Sequence, residues 1–579
     1  MSSADRAVRN RLLGSALREA LAQGYGRRHL SADLLAGITL GVIAIPLAMA
    51  LAIGTGVAPQ HGLYAAIVGG LVIAAAGGSR FNVSGPTAAF VAILLPVVAA
   101  HGLGGLLVAT VMAGVILVII GVTRLGRLVE FIPYPVIIGF TAGIGVVIAT
   151  LQLKDFFGLD AAVGQPHFTD KLQALLAALP GAHAGDTLIA LLTLAVMLLW
   201  PRIRVAWLVR VPAHLVALLA GTLAALLAPV LFADFSVATV GSRFSWSAGG
   251  ESGTGIPPFL PAFVLPWELP DADGNPVGLD FALVRELLPA AFAIALLCAI
   301  ESLLCAVVAD GFAGTRHNPD SELVGQGLGN IAAPFFGGIT CTAALARTAT
   351  NVRAGATSPV SAMVHALTVL AVLLLCAPLL SYVPMAALAA LLVVVAWNMA
   401  EPRHVLHMMK VSPRADVAVL LVCFVLTVFF DMVLAVGVGM VLASALFIRR
   451  MTALAGSELM TPAQHPHLAG LPDHALAYDV NGPLFFGAAR QALEHLGQAG
   501  GQTRVVVLDM TDVPVIDMTG LVAFTALRDR LHRRGLVLVV CGAQANIRAK
   551  LERAGIRPED GVLYFASGYD EAVALCHRL

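Results

Sequence analysis

SGPTAAFV (84–91) lies in apolar text and returns in altered form as ITCTAALA (339–346), each time behind a Gly-rich stretch. Thr87 and Thr342 open the two Thr-Ala-Ala words and stand 255 residues apart, and the same spacing carries Pro46 onto Glu301. Short segments interrupted by Gly and Pro, in corresponding halves of an apolar chain, point to broken helices that face each other inside a membrane protein. Irregular backbone at that depth persists only where protein encloses it, because lipid offers no hydrogen bonds. Pro86 is expected in the first turn of one such helix, where a missing N–H leaves nothing unpaired. The N–H groups of Thr87, Ala88 and Ala89 then point free, with the positive end of the helix dipole behind them. A second short helix is expected from Thr342, with Arg347 adding a full positive charge. Together they read as a cradle for an anion.

The composition fits that setting. The chain has 579 residues, 58% of them hydrophobic and 12% charged, against about 25% charged in soluble domains. Apolar runs from about residue 34 to 450 reach the roughly 20 residues that span a bilayer. No hydrophobic segment opens the chain. Its first thirty residues instead hold Arg6, Arg9, Arg11, Arg18, Arg27 and Arg28, so a cleaved signal peptide is not expected. Cys298, Cys305, Cys341, Cys376 and Cys423 sit inside apolar runs without ligand spacing and read as small hydrophobes, not as a metal or disulfide framework. A net charge of zero argues against a nucleic-acid partner. Neither cofactor nor metal is expected.

Gly, Pro and charge breaks divide the apolar region into fourteen spans, near 34–53, 62–78, 83–100, 103–122, 131–153, 183–201, 211–230, 283–309, 322–337, 341–355, 358–380, 384–400, 412–430 and 431–449. With the N-terminus inside, the inner loops collect nineteen Lys and Arg, among them Arg80, Arg127, Arg204, Arg210 and Arg450. The outer loops hold four: Lys154, Lys171, Arg243 and Arg285. That asymmetry places both termini in the cytoplasm. One outer segment, 231–282, is long and rich in Pro, Gly and Trp, and reads as an ordered flap or as a simple tether.

Beyond Arg450 the text changes. ALAYDV, TRVVVLDM, LVLVVCG and VLYF read as strands that alternate with the amphipathic helices AARQALEHLGQAG, TGLVAFTALRDRLHRRG and AQANIRAKLERAG, which makes a small α/β domain. The expected division is an N-terminal segment 1–33, a membrane domain 34–450, a linker 451–472 containing Pro462, Pro466 and Pro472, and a cytoplasmic domain 473–579. VVVLDMTDVPVIDMTGLVAF (505–524) resembles the core of a STAS domain, with Asp517, Thr519 and Gly520 in its Asp-x-(Ser/Thr)-Gly pattern. In soluble STAS proteins that Ser/Thr is phosphorylated, and a phosphate there gains from the helix N-terminus. The alternative is that Asp517 and Thr519 only cap the helix.

IPLAMALA, SRFNVSGPTAAF, AIESLLCAVVADG, ELVGQGLGNIAAPFFGGI and TCTAALARTATNVRAGA follow one another in an order that resembles the SulP anion transporters, over essentially the whole chain. IAIPLAMALAIGTGVAPQHGLY and DSELVGQGLGN resemble most closely the DauA-type C4-dicarboxylate transporters of that family. The resemblance implies a polytopic α-helical membrane protein with fourteen spans in a seven-plus-seven inverted repeat, divided into core and gate domains, with a STAS domain attached. It implies a bacterial-type inner-membrane location and a homodimer. It also maps the anion pocket onto Leu47 and Leu51 of the first span, Thr87 and Ala88 of the third, and Leu345, Ala346 and Arg347 of the tenth. Several relatives carry Gln and an aromatic where this chain has Leu47 and Leu51, so the pocket wall is more apolar here and suits a substrate with a carbon backbone.

Glu301 is an isolated carboxyl in AFAIALLCAIESLLCAVV, and a charged acid at mid-span costs about 2.5–3.5 kcal/mol on insertion scales. Two readings stand: a proton-coupling group, protonated with substrate loaded and ionised when it leaves, or a partner of Arg347 or of backbone N–H groups. Arg347 itself either meets substrate or pairs with a carboxylate. Asp431, in a loop between the last two spans, is a weaker candidate. GQGLGN (325–330) mimics a dinucleotide fingerprint but lies in a span with no βαβ unit around it, so its glycines read as packing residues. No Gly-x-Ser-x-Gly, Walker or His-Glu-x-x-His pattern occurs, and an enzyme or ATP-driven pump is not expected. The expected function is proton-coupled uptake of a C4-dicarboxylate such as succinate, fumarate or aspartate. The alternatives are a sulfate or bicarbonate carrier of the same fold, with sodium coupling through Glu301 and Ser302 open, or an anion channel or signalling platform centred on the STAS domain.

Overall fold

The structure, a computed structural model, describes residues 12–126, 132–161, 168–203, 212–232, 235–248, 250–430, 432–454, 456–460, 470–485, 489, 492–493 and 503–579. Arg127, Arg204, Arg210, Asp431, Pro462 and Pro466 lie outside the described residues. The chain divides into two compact units, Met1–Met440 and Val441–Leu579.

Helices α1 (Ser15–Ala22) and α2 (Arg27–Gly54) open the first unit, so the segment read as 1–33 already holds one helix and the start of the first span. Next come α3 (Pro59–Ala76), β1 (Ser84–Gly85), α4 (Ala88–Val122), α5 (Tyr134–Phe156), α6 (Phe168–Ala178), α7 (Ala184–Leu199) and α8 (Ala213–Leu231). The hairpin of β2 (Ser245–Ala248) and β3 (Glu251–Thr254) precedes α9 (Phe281–Ala313), α10 (Pro319–Ala332), β4 (Thr342–Ala343) and α11 (Leu345–Arg353). The unit continues through α12 (Val360–Leu380), α13 (Met385–Ala400), α14 (Pro402–Val411) and α15 (Arg414–Phe429), and the division at Met440 falls within α16 (Met432–Leu454).

Ten helices among the described residues are long and apolar enough to cross a bilayer. One of them, α4, contains two of the expected spans: Gly102, at φ 63° and ψ −165°, breaks it where the third span was expected to end and the fourth to begin. The expected spans 322–337, 341–355 and 412–430 are α10, α11 and α15, of 14, 9 and 16 residues. Among the described residues each of the fourteen expected segments contains helix, and the short ones include those on either side of the second Thr-Ala-Ala word.

Small residues set how closely these helices approach. A Cβ on Gly37 of α2 would lie 2.5 Å from the Ser361 carbonyl oxygen of α12, and one on Gly41 would lie 2.5 Å from Thr368 Cβ. A Cβ on Gly327 would lie 2.6 Å from the Gly114 carbonyl oxygen of α4. The GQGLGN glycines thus serve backbone-to-backbone packing between spans, as their setting implied.

The described residues of the 231–282 segment form an ordered flap, not a tether. Val240 N–H donates to Val383 O (2.9 Å), Met385 N–H to Ala238 O (2.8 Å) and Val264 N–H to Phe335 O (2.8 Å). Phe263 stacks on Phe335 with ring centroids 5.8 Å apart, and Trp267 meets the same ring edge-on at 6.0 Å. Aromatic burial and strand-like pairing fix a stretch that composition alone left open.

The second unit holds a five-stranded sheet in the order β5 (Gly456–Met460), β6 (Ala475–Asn481), β7 (Val505–Asp509), β8 (Val537–Cys541) and β9 (Leu563–Ala566). β5 is antiparallel to β6; the other neighbours are parallel. Helices α17 (Met518–Arg533), α18 (Ala545–Arg553) and α19 (Tyr569–Cys576) accompany it. One core packs Phe524, Leu527 and Leu531 of α17 against Val506, Leu508, Leu538 and Val540. The segment read as a linker is corrected here, since its residues 456–460 are the edge strand of this sheet. GSELM carries too little apolar alternation to announce a strand by itself, and pairing with β6 makes it one. Of AARQALEHLGQAG, only Ala489, Ala492 and Leu493 belong to the described residues.

Candidate functional site

Where the two Thr-Ala-Ala words meet, the chain forms a two-residue antiparallel ribbon, Ser84 opposite Ala343 and Gly85 opposite Thr342. Each strand then turns into a helix. Thr87, extended at φ −125° and ψ 155°, is the N-cap of a 3₁₀ turn Ala88–Phe90 that leads into the rest of α4. Ala344 is the N-cap of α11. Both helix starts differ from expectation. Pro86 lies before the cap instead of in the first turn, and Thr342 lies in the strand instead of opening the helix. Tertiary strand pairing uses these residues and delays each helix by two or three positions. The two N-caps, Thr87 and Ala344, stand 257 residues apart, two more than the textual echo, and on that spacing Pro46 no longer falls on Glu301.

Neither helix start carries a side-chain cap, so the first backbone N–H groups keep their unpaired, electropositive character. Thr87 is a residue type that ordinarily caps, but its hydroxyl donates to Glu301 Oε2 at 2.9 Å instead. The proton-coupling candidate and the anion-cradle candidate are therefore joined by one hydrogen bond. Arg347 is 5% exposed and its Nη2 donates to the Pro86 carbonyl oxygen at 2.5 Å. Its Nη1 lies so close to Gly85 that a Cβ there would stand 2.5 Å away. Among the described residues no ion pair joins Glu301 to Arg347; the carboxylate holds a hydroxyl and the guanidinium a carbonyl.

The other expected pocket residues are placed less uniformly. Leu51 and Ala88 are buried, Leu47 is half-buried, Leu345 is 42% exposed and Ala346 is exposed. A separate cavity of about 590 Å³ lies between the flap and α3, with Gln60, His61, Tyr64, Trp246, Phe259 and Phe336 in its wall, and holds none of the expected site residues.

Polar side chains that sequence reasoning missed hold the ribbon. Glu322, 1% exposed, accepts from Gly78 N–H and Ser79 N–H (both 3.0 Å), Asn82 Nδ2 (2.8 Å) and Gln326 Nε2 (3.1 Å). Asn82 also donates to Ser302 O, beside Glu301, at 3.1 Å. Asn330 clamps Cys341 from both sides, donating to its carbonyl at 2.8 Å and accepting from its N–H at 2.9 Å. A buried carboxylate satisfied by four donors rigidifies what it holds. The available signal was an acid and two amides, Glu322, Gln326 and Asn330, at helical spacing in an otherwise apolar stretch.

In the second unit Asp517 is the N-cap of α17 and accepts from Gly520 N–H at 2.8 Å, while Thr519 is exposed in the first turn. Among the described residues no group of three His, Cys, Asp or Glu side chains is arranged to hold a metal ion.

The sulfate permease family model matches residues 30–423, and the STAS domain model matches residues 466–565. The chain belongs to the sulfate permease family. It is 39% identical over 554 residues to the putative sulfate transporter YvdB of Bacillus subtilis, covering 95% of this chain and 98% of that one. It is 31% identical to the bicarbonate transporter BicA of Synechocystis, over 91% of this chain and 90% of that one. The solved structure of SLC26A9 superposes with a TM-score of 0.81 at 18% identity, covering 99% of this chain and 94% of that chain; it shares the fold. This sulfate permease family member is an integral membrane anion transporter with a STAS domain.

Proposed function

We propose that this chain is a proton-coupled carrier of C4-dicarboxylates, with both termini in the cytoplasm. The observation that carries the reading is the hydrogen bond from Thr87 at the uncapped start of α4 to Glu301. An anion drawn to the two helix N-termini sits beside that carboxyl. If Glu301 is ionised, a carboxylate about 5 Å away is repelled by about 3 kcal/mol at an effective dielectric near 20. Protonation removes that repulsion, so proton and anion raise each other's affinity by the same factor. The loaded carrier then moves both together. Leu47 and Leu51 supply an apolar wall that suits a carbon backbone, Ala88, Leu345 and Ala346 let the anion approach the backbone, and Arg347 contributes its charge through the Pro86 carbonyl it holds.

The test is uptake of labelled succinate into proteoliposomes under an imposed inward proton gradient. Wild type accumulates it, and Glu301→Gln loses the dependence on the gradient. Equal accumulation by both proteins leaves a carrier without Glu301 as coupling group. A second reading, sulfate or bicarbonate as substrate, is favoured by the names of the relatives. Failure of succinate to move while either of those anions does establishes it. Replacing the proton gradient with a sodium gradient separates the two couplings, and gradient-independent flux marks a channel. Homodimer formation is part of the proposal and is read by mass in detergent. So is phosphorylation at Thr519, where a phosphate would meet the N-terminus of α17.

A further inference from the structure

One face of α10 carries Glu322, Gln326 and Asn330 at one-turn spacing, and these side chains are 1%, 0% and 0% exposed. The two amides reach the ribbon that leads into the anion cradle, one strand each. Gln326 Nε2 donates to Ser84 Oγ of β1 at 3.1 Å and to Glu322 Oε1 at 3.1 Å. Asn330 Nδ2 donates at 2.8 Å to the carbonyl of Cys341, the residue before β4, and its Oδ1 accepts from Cys341 N–H at 2.9 Å. The same Nδ2 donates to Gln326 O at 2.9 Å, which ties the Asn330 amide to its own helix. Residues four apart on a helix are separated by a rise of about 6 Å, close to the roughly 4.8 Å between neighbouring strands. Successive turns of one helix therefore hold the two strands in turn.

The ribbon needs such a clamp. It has two residue pairs, Ser84 with Ala343 and Gly85 with Thr342, and a two-stranded ribbon is marginal by itself. Its backbone bonds do not specify the register, because a slip of two residues restores the same pattern. Such a slip would move one helix start against the other by about 6–7 Å. α10 is a fixed reference, packed between α3 and α4. A Cβ on Gly325 would lie 2.5 Å from Gly77 Cα, and one on Gly327 2.6 Å from the Gly114 carbonyl oxygen. We infer that Gln326 and Asn330 are positioning residues that set the register of the ribbon and the separation of the two helix starts, and so govern which anion lengths the cradle accepts. This rests on the reading of those helix starts as the anion site. Neither amide touches substrate; each acts through the strand it holds.

Competition in the proteoliposome uptake assay tests the inference, with labelled succinate as the probe, or labelled sulfate if that is what wild type carries. Unlabelled sulfate, malonate, succinate and glutarate compete, and the readout is the spread of their inhibition constants. Ser84→Ala deletes the acceptor on β1. Gln326→Met and Asn330→Leu keep the size of the side chain and delete its hydrogen bonds. A looser ribbon discriminates less. Ser84→Ala is expected to narrow the spread about threefold, the size of one neutral hydrogen bond, and each amide variant about tenfold. A competitor too weak to measure against wild type should become measurable against the variants. The Ser84→Ala/Gln326→Met double variant is expected to be no worse than Gln326→Met alone, and multiplied effects overturn the inference. A role in stability alone lowers the melting temperature in detergent and the maximal rate for every anion together, with the spread as in wild type. That result overturns the inference and leaves the cradle standing; Ser84→Ala, the mildest change, decides it if neither amide variant folds. Ala88→Phe crowds the first turn of α4 and tests the cradle separately. If it leaves every inhibition constant unchanged, the cradle reading fails and the inference with it.

Discussion

At the scale of single residues, the proposed function rests most on the bond between Thr87 and Glu301. Thr87→Val keeps the shape of the side chain and removes the hydroxyl donated to Glu301 Oε2. A hydrogen bond to a charged group is worth about 1.5–3 kcal/mol, so proton-driven uptake should fall at least about tenfold, with Thr87→Ser close to wild type. Tyr25 offers a separate pH test outside the spans. Its hydroxyl donates to Asp33 Oδ2 at 2.9 Å, and burial, followed by that carboxylate, pushes its phenol up to about 12. An unfolded tyrosine titrates near 10. The stabilisation is therefore fully present below about pH 10 and is lost as pH rises through the folded value. Melting temperature in detergent should drop between about pH 10 and 12 more in wild type than in Tyr25→Phe. Glu301 and Arg347 were legible in the sequence because each is a charge in an apolar run. Their partners were not: nothing local marks the Pro86 carbonyl as an acceptor, and Thr87 reads equally well as a cap.

At the scale of elements, packing between glycines decides how the spans fit. A methyl on Gly327 would meet the Gly114 carbonyl oxygen at 2.6 Å and Val118 Cγ2 at 2.7 Å, whereas one on Gly437 of α16 meets nothing within 4 Å. Overpacking of this kind costs about 1–3 kcal/mol. Gly327→Ala should lower the melting temperature by several degrees while Gly437→Ala leaves it unchanged or slightly raised, both read by thermal unfolding in detergent. The helices were legible from hydrophobic run length, and the break at Gly102 from composition. Their starting residues were not. Local preference puts Pro86 in a first turn and lets Thr342 open a helix, but pairing of Ser84–Gly85 with Thr342–Ala343 claims those positions for a strand. Two residues of strand are too few for any periodic pattern to show.

The whole molecule consists of two units, and the edge strand β5 sets where they can be separated. A fragment 456–579 keeps β5 on β6, whereas a fragment 473–579 leaves β6 as a bare edge. Unpaired edges template association with other chains. The longer fragment should remain monomeric by size exclusion and melt at a higher temperature than the shorter, which should associate. Truncation after Leu454 retains every membrane helix, so residues 1–455 should still take up the anion in proteoliposomes. Loss of all flux would instead favour a platform whose activity depends on the STAS domain.

What the sequence determined by itself was whatever rests on one-dimensional patterns. Apolar run length gave the spans, the distribution of Arg and Lys gave the expected orientation, β-branched runs between amphipathic helices gave the α/β unit, and isolated charges marked Glu301 and Arg347. What only the tertiary structure decided rests on pairs far apart in the chain. These are the ribbon joining residues 84–85 to 342–343, the four donors converging on Glu322, and the flap seated on Phe335. Burial preference is a property of each residue and is written along the chain. A hydrogen bond between distant residues depends on where both partners finally stand, and only the folded backbone fixes that.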